Sequence, residues 1–277
     1  MPELPEVETI ARQLGPLVAG RRILRCEILD PKLAAVAPGL LTGALFSGVR
    51  RSGKQLAFSL EQRQERFQLY VHLRMTGRLV WRESCTDAPL RHLRATLQLD
   101  RGCLLFYDPR RFGTLTLAAS GEPECAGIDP LAPGFTVKTL RQLLADSNQP
   151  LKLWLLRQDR LAGLGNIYAS EIMFEAGLHP ERRGSSLKPE EAQRLYKSTR
   201  AVLRRAIRHC GTTFSDFQDA RGLVGRYQNY LRVYGRAGQP CGACGTPVER
   251  IVQGQRATFF CPRCQMLESS VTGPGRP

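Results

Sequence analysis

Four cysteines stand in two pairs near the end of the chain, as Cys241-x2-Cys244-x16-Cys261-x2-Cys264. Each pair has the spacing of a tight knuckle that offers two thiolates to one metal, and four thiolates suit a tetrahedral zinc ion. With every coordination position taken by protein, such a metal holds a fold together and activates no water. The residues between the pairs read as a hairpin, Val248 to Val252 and Ala257 to Phe260, turning at Gln253-Gly254-Gln255. Arg256 stands beside that turn, well placed for a phosphate. The opening Met1-Pro2-Glu3-Leu4-Pro5-Glu6 offers a different chemistry. Removal of Met1 would expose the secondary amine of Pro2, and an α-amino group titrates near about 8, so much of it is free base at neutral pH. A free amine can attack an electrophilic sugar carbon and leave an iminium, with Glu3 near enough in sequence for acid–base work. These six residues alone fit a merely stiff, acidic N-terminus better.

The elements that must carry these groups fall into a β-rich half and a helical half. Val7, Ile10, Ala11 and Leu14 repeat at helical spacing, with Pro5 and two acidic residues suiting the positive end of a helix. From about residue 23 to 120 the pattern turns strand-like: Phe67, Leu69, Val71 and Leu73 alternate, as do Ala95, Leu97 and Leu99. Asp100-Arg101-Gly102 reads as a hairpin turn. Asp129-Pro130-Leu131-Ala132-Pro133-Gly134 reads as a linker. Beyond it lie a short stripe (Leu140, Leu143, Leu144), a Gly-rich turn at 161–166 leading into Ala169, Ile172, Met173 and Ala176, and a long stripe from Ala192 to Ile207. Two helices joined by a Gly-rich turn can grip DNA, and also occur as plain helical hairpins.

The net charge of +15 over 277 residues favours a polyanionic partner, since each neutralised phosphate releases counterions. No apolar run reaches membrane-spanning length, which argues against a membrane protein. The acidic, proline-rich start lacks a secretory pattern, so cytoplasmic residence is expected. Nine cysteines, four clustered and five scattered, do not make a disulfide scaffold.

Several segments recur together in one family. They are the opening through Thr9, Arg50-Arg51-Ser52-Gly53-Lys54, His72-Leu73-Arg74-Met75-Thr76-Gly77, Asp108-Pro109-Arg110-Arg111-Phe112-Gly113 and Gly163 through Glu171. Gly211-Thr212-Thr213, Val233-Tyr234-Gly235-Arg236 and the cysteine pairs complete the set. With these, residues 2 to about 265 resemble formamidopyrimidine-DNA glycosylase, the 8-oxoguanine glycosylase/AP lyase family. The resemblance implies an α+β fold: an N-terminal two-sheet β-sandwich flanked by helices, then a helical domain with a helix-two-turn-helix and a β-hairpin zinc finger. The expected divisions are 1–128, a linker at 129–134, 135–237, the finger at 238–267 and a disordered tail at 268–277.

The resemblance also implies roles. Pro2 is the Schiff-base nucleophile, Glu3 the acid, and Glu6 a supporting carboxylate. Lys54 and Arg256 belong with the catalytic set as phosphate ligands, and His72 and Asn166 complete that clamp. Met75, Arg110 and Phe112 fill the void left by an everted base, and Lys152 matches a lysine near the lesion. The segment from Phe214 to Tyr227 resembles a loop that closes over the purine. The implied partner is damaged duplex DNA bound by a monomer, nucleoid-associated in a bacterial-type cytoplasm, with one structural zinc ion. The implied reaction is excision of oxidised purines followed by β,δ-elimination. Two rivals remain: an endonuclease VIII-like enzyme for oxidised pyrimidines, and a lesion-binding protein without catalysis. The chain departs from the family pattern at Arg74, at Leu93-Arg94, at Arg157-Gln158-Asp159 and at Ser215, where lesion preference and local helix contacts come into question.

Overall fold

The computed structural model describes residues 1–33, 36–86, 88–119, 125–214 and 217–267; Ser215 and the tail from 268 lie outside them. The chain divides into two compact units, the first formed by Met1–Asp129 with Leu203–Tyr230, the second by Pro130–Val202 with Leu231–Pro277. The break at Asp129 and Pro130 coincides with the proline-rich segment. The sequence division kept 135–237 together, whereas residues 203–230 pack with the first unit. Hydrogen bonds at long sequence separation, invisible to periodicity, draw them there.

In the first unit, helix α1 (Leu4–Val18) leads into eight strands. These are β1 (Ile23–Ile28), β2 (Leu45–Ser52), β3 (Gln55–Gln62), β4 (Glu65–His72), β5 (Arg78–Arg82), β6 (Leu93–Leu99), β7 (Cys103–Tyr107) and β8 (Thr114–Ala119), with a short α2 (Pro38–Leu41) after β1. They form two antiparallel four-stranded sheets, ordered β2-β3-β4-β8 and β1-β6-β7-β5. The alternating residues read from the sequence face one shared core: Leu69 and Val71 from one sheet, Ala95 and Leu97 from the other, and Val7, Ile10 and Leu14 from α1, joined there by Leu115 and Phe106. Register then gathers functional segments at one end of the sandwich. Gln55 pairs with His72 and His72 with Thr114, so the Gly53-Lys54 turn, the end of β4 and the loop before β8 are neighbours.

The second unit contains α3 (Val137–Ala145), α4 (Leu151–Leu155), α5 (Asn166–Ala176), most of α6 (Pro189–Arg208) and a hairpin of β9 (Glu249–Gln253) and β10 (Arg256–Phe260). Helix α5 ends at Gly177 with φ +66°, the left-handed cap expected of glycine there. Phe174 of α5, Val233, Val248 and Phe259 share a small core with the cysteines.

Candidate nucleic-acid interface and metal centre

The first turn of α1 carries the candidate nucleophile and its carboxylates. Pro2, Glu3 and Glu6 are all buried. Glu6 is the organiser. Its Oε2 accepts the Glu3 backbone N–H at 2.8 Å, and its Oε1 accepts the Thr212 N–H at 2.7 Å. One carboxylate thus ties the helix start to a segment 206 residues away. Hydrogen bonds to a charged group are each worth about 1.5–3 kcal/mol. Gly211 makes this possible, because a Cβ there would lie 2.6 Å from Glu6 Oε1, and its φ of +78° disfavours any other residue. We expect Gly211→Ala to lower stability by about 1–3 kcal/mol and to cut turnover more than DNA affinity. Thermal unfolding beside single-turnover kinetics checks this, and unchanged values in both would contradict it.

At the collected end of the sandwich, Lys54 occupies the β2–β3 turn and His72 ends β4. Arg51, by contrast, is buried in ion pairs with Glu8 and Asp129, so the basic run presents Lys54 while Arg51 holds α1 against the sheet. His72 Nδ1 accepts the Arg74 N–H at 3.0 Å, which places the neutral ring's proton on Nε2 as a donor. Burial first, then the charges of Arg74 and Lys54, push the imidazole down to about 4. Folded protein therefore binds fewer protons than unfolded chain between about pH 4 and an ordinary histidine value of about 6.5, so this contribution to stability is lost as pH falls through that window. Free His72 should titrate in NMR near 4, and a midpoint near 6.5 would overturn this reading.

Asp108 orders the adjacent loops. Its buried carboxylate accepts the N–H groups of Arg110 (3.2 Å), Phe112 (2.8 Å) and Gly113 (2.7 Å), together with the Thr76 hydroxyl. Two turns far apart in sequence are thereby joined, and Met75, Arg110 and Phe112 are all presented exposed. The Arg110 guanidinium lies over the Phe112 ring at 4.8 Å. The neighbouring Arg111 is bound bidentately to Asp30, whose carboxyl this holds down at about 2. Of two consecutive arginines only Arg110 is thus offered to a partner. Arg94, one of the departures, donates to the Asp108 carbonyl at 2.9 Å and buttresses the same loop. The bracing roles of Asp108 and Arg94 escaped the sequence reading, because neither lies in a pattern that signals its partner.

In the second unit Asn166 opens α5, and its Nδ2 donates to the Ala257 carbonyl at 2.8 Å. That bond docks the hairpin on the helix start and brings exposed Arg256, at the head of β10, beside Asn166. A helix N-terminus with an arginine next to it is a ready anion site. Lys152 is corrected by the structure. It is fully buried, with Nζ donating to the Asn166 carbonyl (2.9 Å) and Ser170 Oγ (2.8 Å), so it braces the helix start and cannot touch DNA directly. Glu171 is also structural. Its carboxylate accepts the N–H groups of Arg232, Val233 and Tyr234, while burial pushes its carboxyl upward. At the Arg157-Gln158-Asp159 departure, Arg157 and Asp159 pair at the surface. Gln158 binds the turn ahead of α5, donating to Leu164 O and accepting from Gly163 N.

The thiols of Cys241, Cys244, Cys261 and Cys264 all lie within 4.8 Å of one another. Sγ separations of 3.9 Å (Cys241–Cys264) and 3.4 Å (Cys244–Cys261) suit a tetrahedron with Zn–S bonds of about 2.3 Å. The N–H of Ala243 points to Cys241 Sγ and that of Cys264 to Cys261 Sγ, as each knuckle requires. The donor set fits one structural zinc ion. The hairpin strands begin and end within a residue of the expected positions, and Gly254 and Gln255 turn with positive φ.

Comparison with known proteins agrees with these features. Residues 1–115 match the model of the formamidopyrimidine-DNA glycosylase N-terminal domain, 126–218 that family's H2TH domain, and 238–265 the zinc finger found in FPG and IleRS. The formamidopyrimidine-DNA glycosylase of Symbiobacterium thermophilum is 44% identical, covering 98% of this chain and 91% of the relative. Among solved structures, the Lactococcus lactis Fpg bound to abasic-site DNA aligns with TM-score 0.87 and 34% identity, over 96% of this chain and all of that one (100%). The MutM (Fpg) protein from Thermus thermophilus aligns with TM-score 0.84 and 42% identity, covering 95% of this chain and 98% of that one.

Proposed function

The chain belongs to the formamidopyrimidine-DNA glycosylase family, and from that premise we propose that it excises oxidised purines from duplex DNA and then cuts the strand. The observation that carries this reading is the buried Pro2-Glu3-Glu6 turn, pinned through Glu6 to Thr212. After Met1 is removed, the Pro2 nitrogen attacks C1′, the glycosidic bond breaks, and the base departs with its electron pair and a proton. Glu3 donates to the opening deoxyribose, and the iminium so formed acidifies the C2′–H. Loss of that proton expels the 3′ phosphate, a second elimination expels the 5′ phosphate, and water releases the sugar fragment from Pro2.

Lys54, His72, Asn166 and Arg256 grip phosphates around the everted nucleotide, each from the unit described for it. Extrusion costs a few kcal/mol, and Met75, Arg110 and Phe112 offset it by filling the gap, with Arg110 bonding the orphaned base. Lys152 acts through Asn166. The zinc hairpin holds Arg256 in place. The protein works as a monomer in the cytoplasm, on the nucleoid.

Parallel single-turnover assays on 8-oxoguanine:cytosine and thymine-glycol duplexes test the lesion class. We expect at least a tenfold preference for the purine lesion, which corresponds to about 1.4 kcal/mol in the transition state. Preference for thymine glycol would favour the pyrimidine rival, and binding without cleavage of either would favour the non-catalytic one.

A further inference from the structure

Beside the Pro2 turn, the phosphate ligands and the void-filling residues, the first unit contains a cavity of about 250 Å³ at the free edge of β5, bordered on one side by residues 218–222 of the segment expected to close over the purine. Arg78 and Arg82 of β5, Arg91 ahead of β6, and Arg221 from the 217–223 segment line it, with Tyr107 and Gln218. Among the described residues no carboxylate lines the cavity, and none of the four arginines has an ion-pair partner. Arg51 and Arg111 of the same unit are, by contrast, neutralised locally, by Glu8 and Asp30. Four guanidinium groups around one space repel one another, and an anion between them reverses the sign of that energy.

The surroundings are ordered for such a ligand. Arg78 donates to Gln218 Oε1 at 2.7 Å and lies 5.8 Å from the Tyr107 ring centroid, which fixes its fork. The Trp81 backbone N–H donates to the Ala220 carbonyl at 2.8 Å, docking the 217–223 segment on the β5 edge. Buried Asp219 accepts the N–H groups of Arg221 and Leu223, holding the backbone that carries the fourth arginine. The volume equals on the order of eight water molecules, enough for a phosphoryl group with part of its hydration. Guanidinium forks match carboxylate and phosphoryl oxygens alike, but a phosphoryl group brings three acceptor oxygens and up to two charges to be shared among several forks, where a carboxylate brings two oxygens and one charge.

We propose that this cavity binds a phosphoryl anion, and that the bound anion clamps the 217–223 segment onto the edge of β5. A backbone phosphate of bound DNA and a free polyphosphate present the same chemistry. The distinguishing experiment compares full-length wild type with R82Q/R91Q, and with R63Q/R66Q as a charge-matched control at two exposed positions, one in the β3–β4 turn and one at the start of β4. Inorganic tripolyphosphate is titrated calorimetrically at fixed ionic strength, and the salt dependence of duplex binding is measured in parallel. If the source is free polyphosphate, wild type and R63Q/R66Q bind it 1:1 and R82Q/R91Q at least tenfold more weakly. If the source is DNA, the slope of log K against log salt falls by about one in R82Q/R91Q and is retained in the control. Should the two double variants behave alike in both assays, the proposal is overturned. Arg221→Gln alone repeats the comparison if R82Q/R91Q does not fold. Borohydride trapping of each variant reports the Pro2 chemistry separately, so failure here leaves that reading standing.

Discussion

A Pro2→Leu protein should form no borohydride-trapped adduct with abasic-site duplex and should nick it at less than about one hundredth of the wild-type rate. A bulky second residue keeps Met1 in place, and a nitrogen within a peptide bond has its lone pair delocalised into the carbonyl. Such a nitrogen cannot attack C1′. The rest of the turn should survive, because Glu6 reaches the Glu3 and Thr212 N–H groups and neither bond involves residue 2. Unchanged thermal unfolding would therefore accompany lost chemistry. Pro2→Gly makes the complementary point: it leaves a primary amine at a more mobile position, so trapping should fall without vanishing. Full trapping by the Pro2→Leu protein, with Met1 shown by mass spectrometry to be retained, would remove the terminal amine from the mechanism.

Zinc removal, or Cys261→Ser, should weaken duplex binding by about a hundredfold or more while the first unit stays folded. Binding to four thiolates contributes on the order of 10 kcal/mol to small zinc modules, and without it the knuckles have too little core to persist. The effect spreads within the second unit. The hairpin shares its core with Phe174 and Val233, Ala257 accepts from Asn166, and the turn at Gly254 packs against Leu153 of α4. Loss of the metal thus removes Arg256 and loosens the start of α5 together. The two tryptophans report this separately, since Trp81 lies in β5 and Trp154 is buried in α4. Chelation should shift the emission of Trp154 in a Trp81→Phe protein and leave Trp81 unmoved in a Trp154→Phe protein. Equal shifts in both, or wild-type DNA affinity without metal, would show that the finger does not act as a local clamp.

Much of this was legible in the residues alone, wherever near neighbours carry the signal. Cysteine spacing named the metal and its hairpin, because two knuckles need ligands a fixed few residues apart. Alternation in β4 and β6 named the inward faces, since a strand exposes every second side chain to the core. Helix periodicity and Gly177 marked α5 and its end.

Other features depend on partners that no local pattern announces. Lys152 looked like a DNA ligand and is instead buried under Asn166, because only the packing of α4 on α5 decides whether a lysine faces solvent or a carbonyl. The roles of Asp108 and Arg94 rest on contacts across turns 32 and 14 residues apart. The membership of residues 203–230 in the first unit rests on bonds spanning more than two hundred positions, such as Gln13 to Asp219. The four arginines of the cavity come from three separate segments, and their convergence is invisible in a total of +15. By itself, then, the sequence determined the chemistry available, the elements and the metal. Tertiary structure decided which charges are neutralised and which are presented, because that depends on long-range contacts that close only when the chain folds.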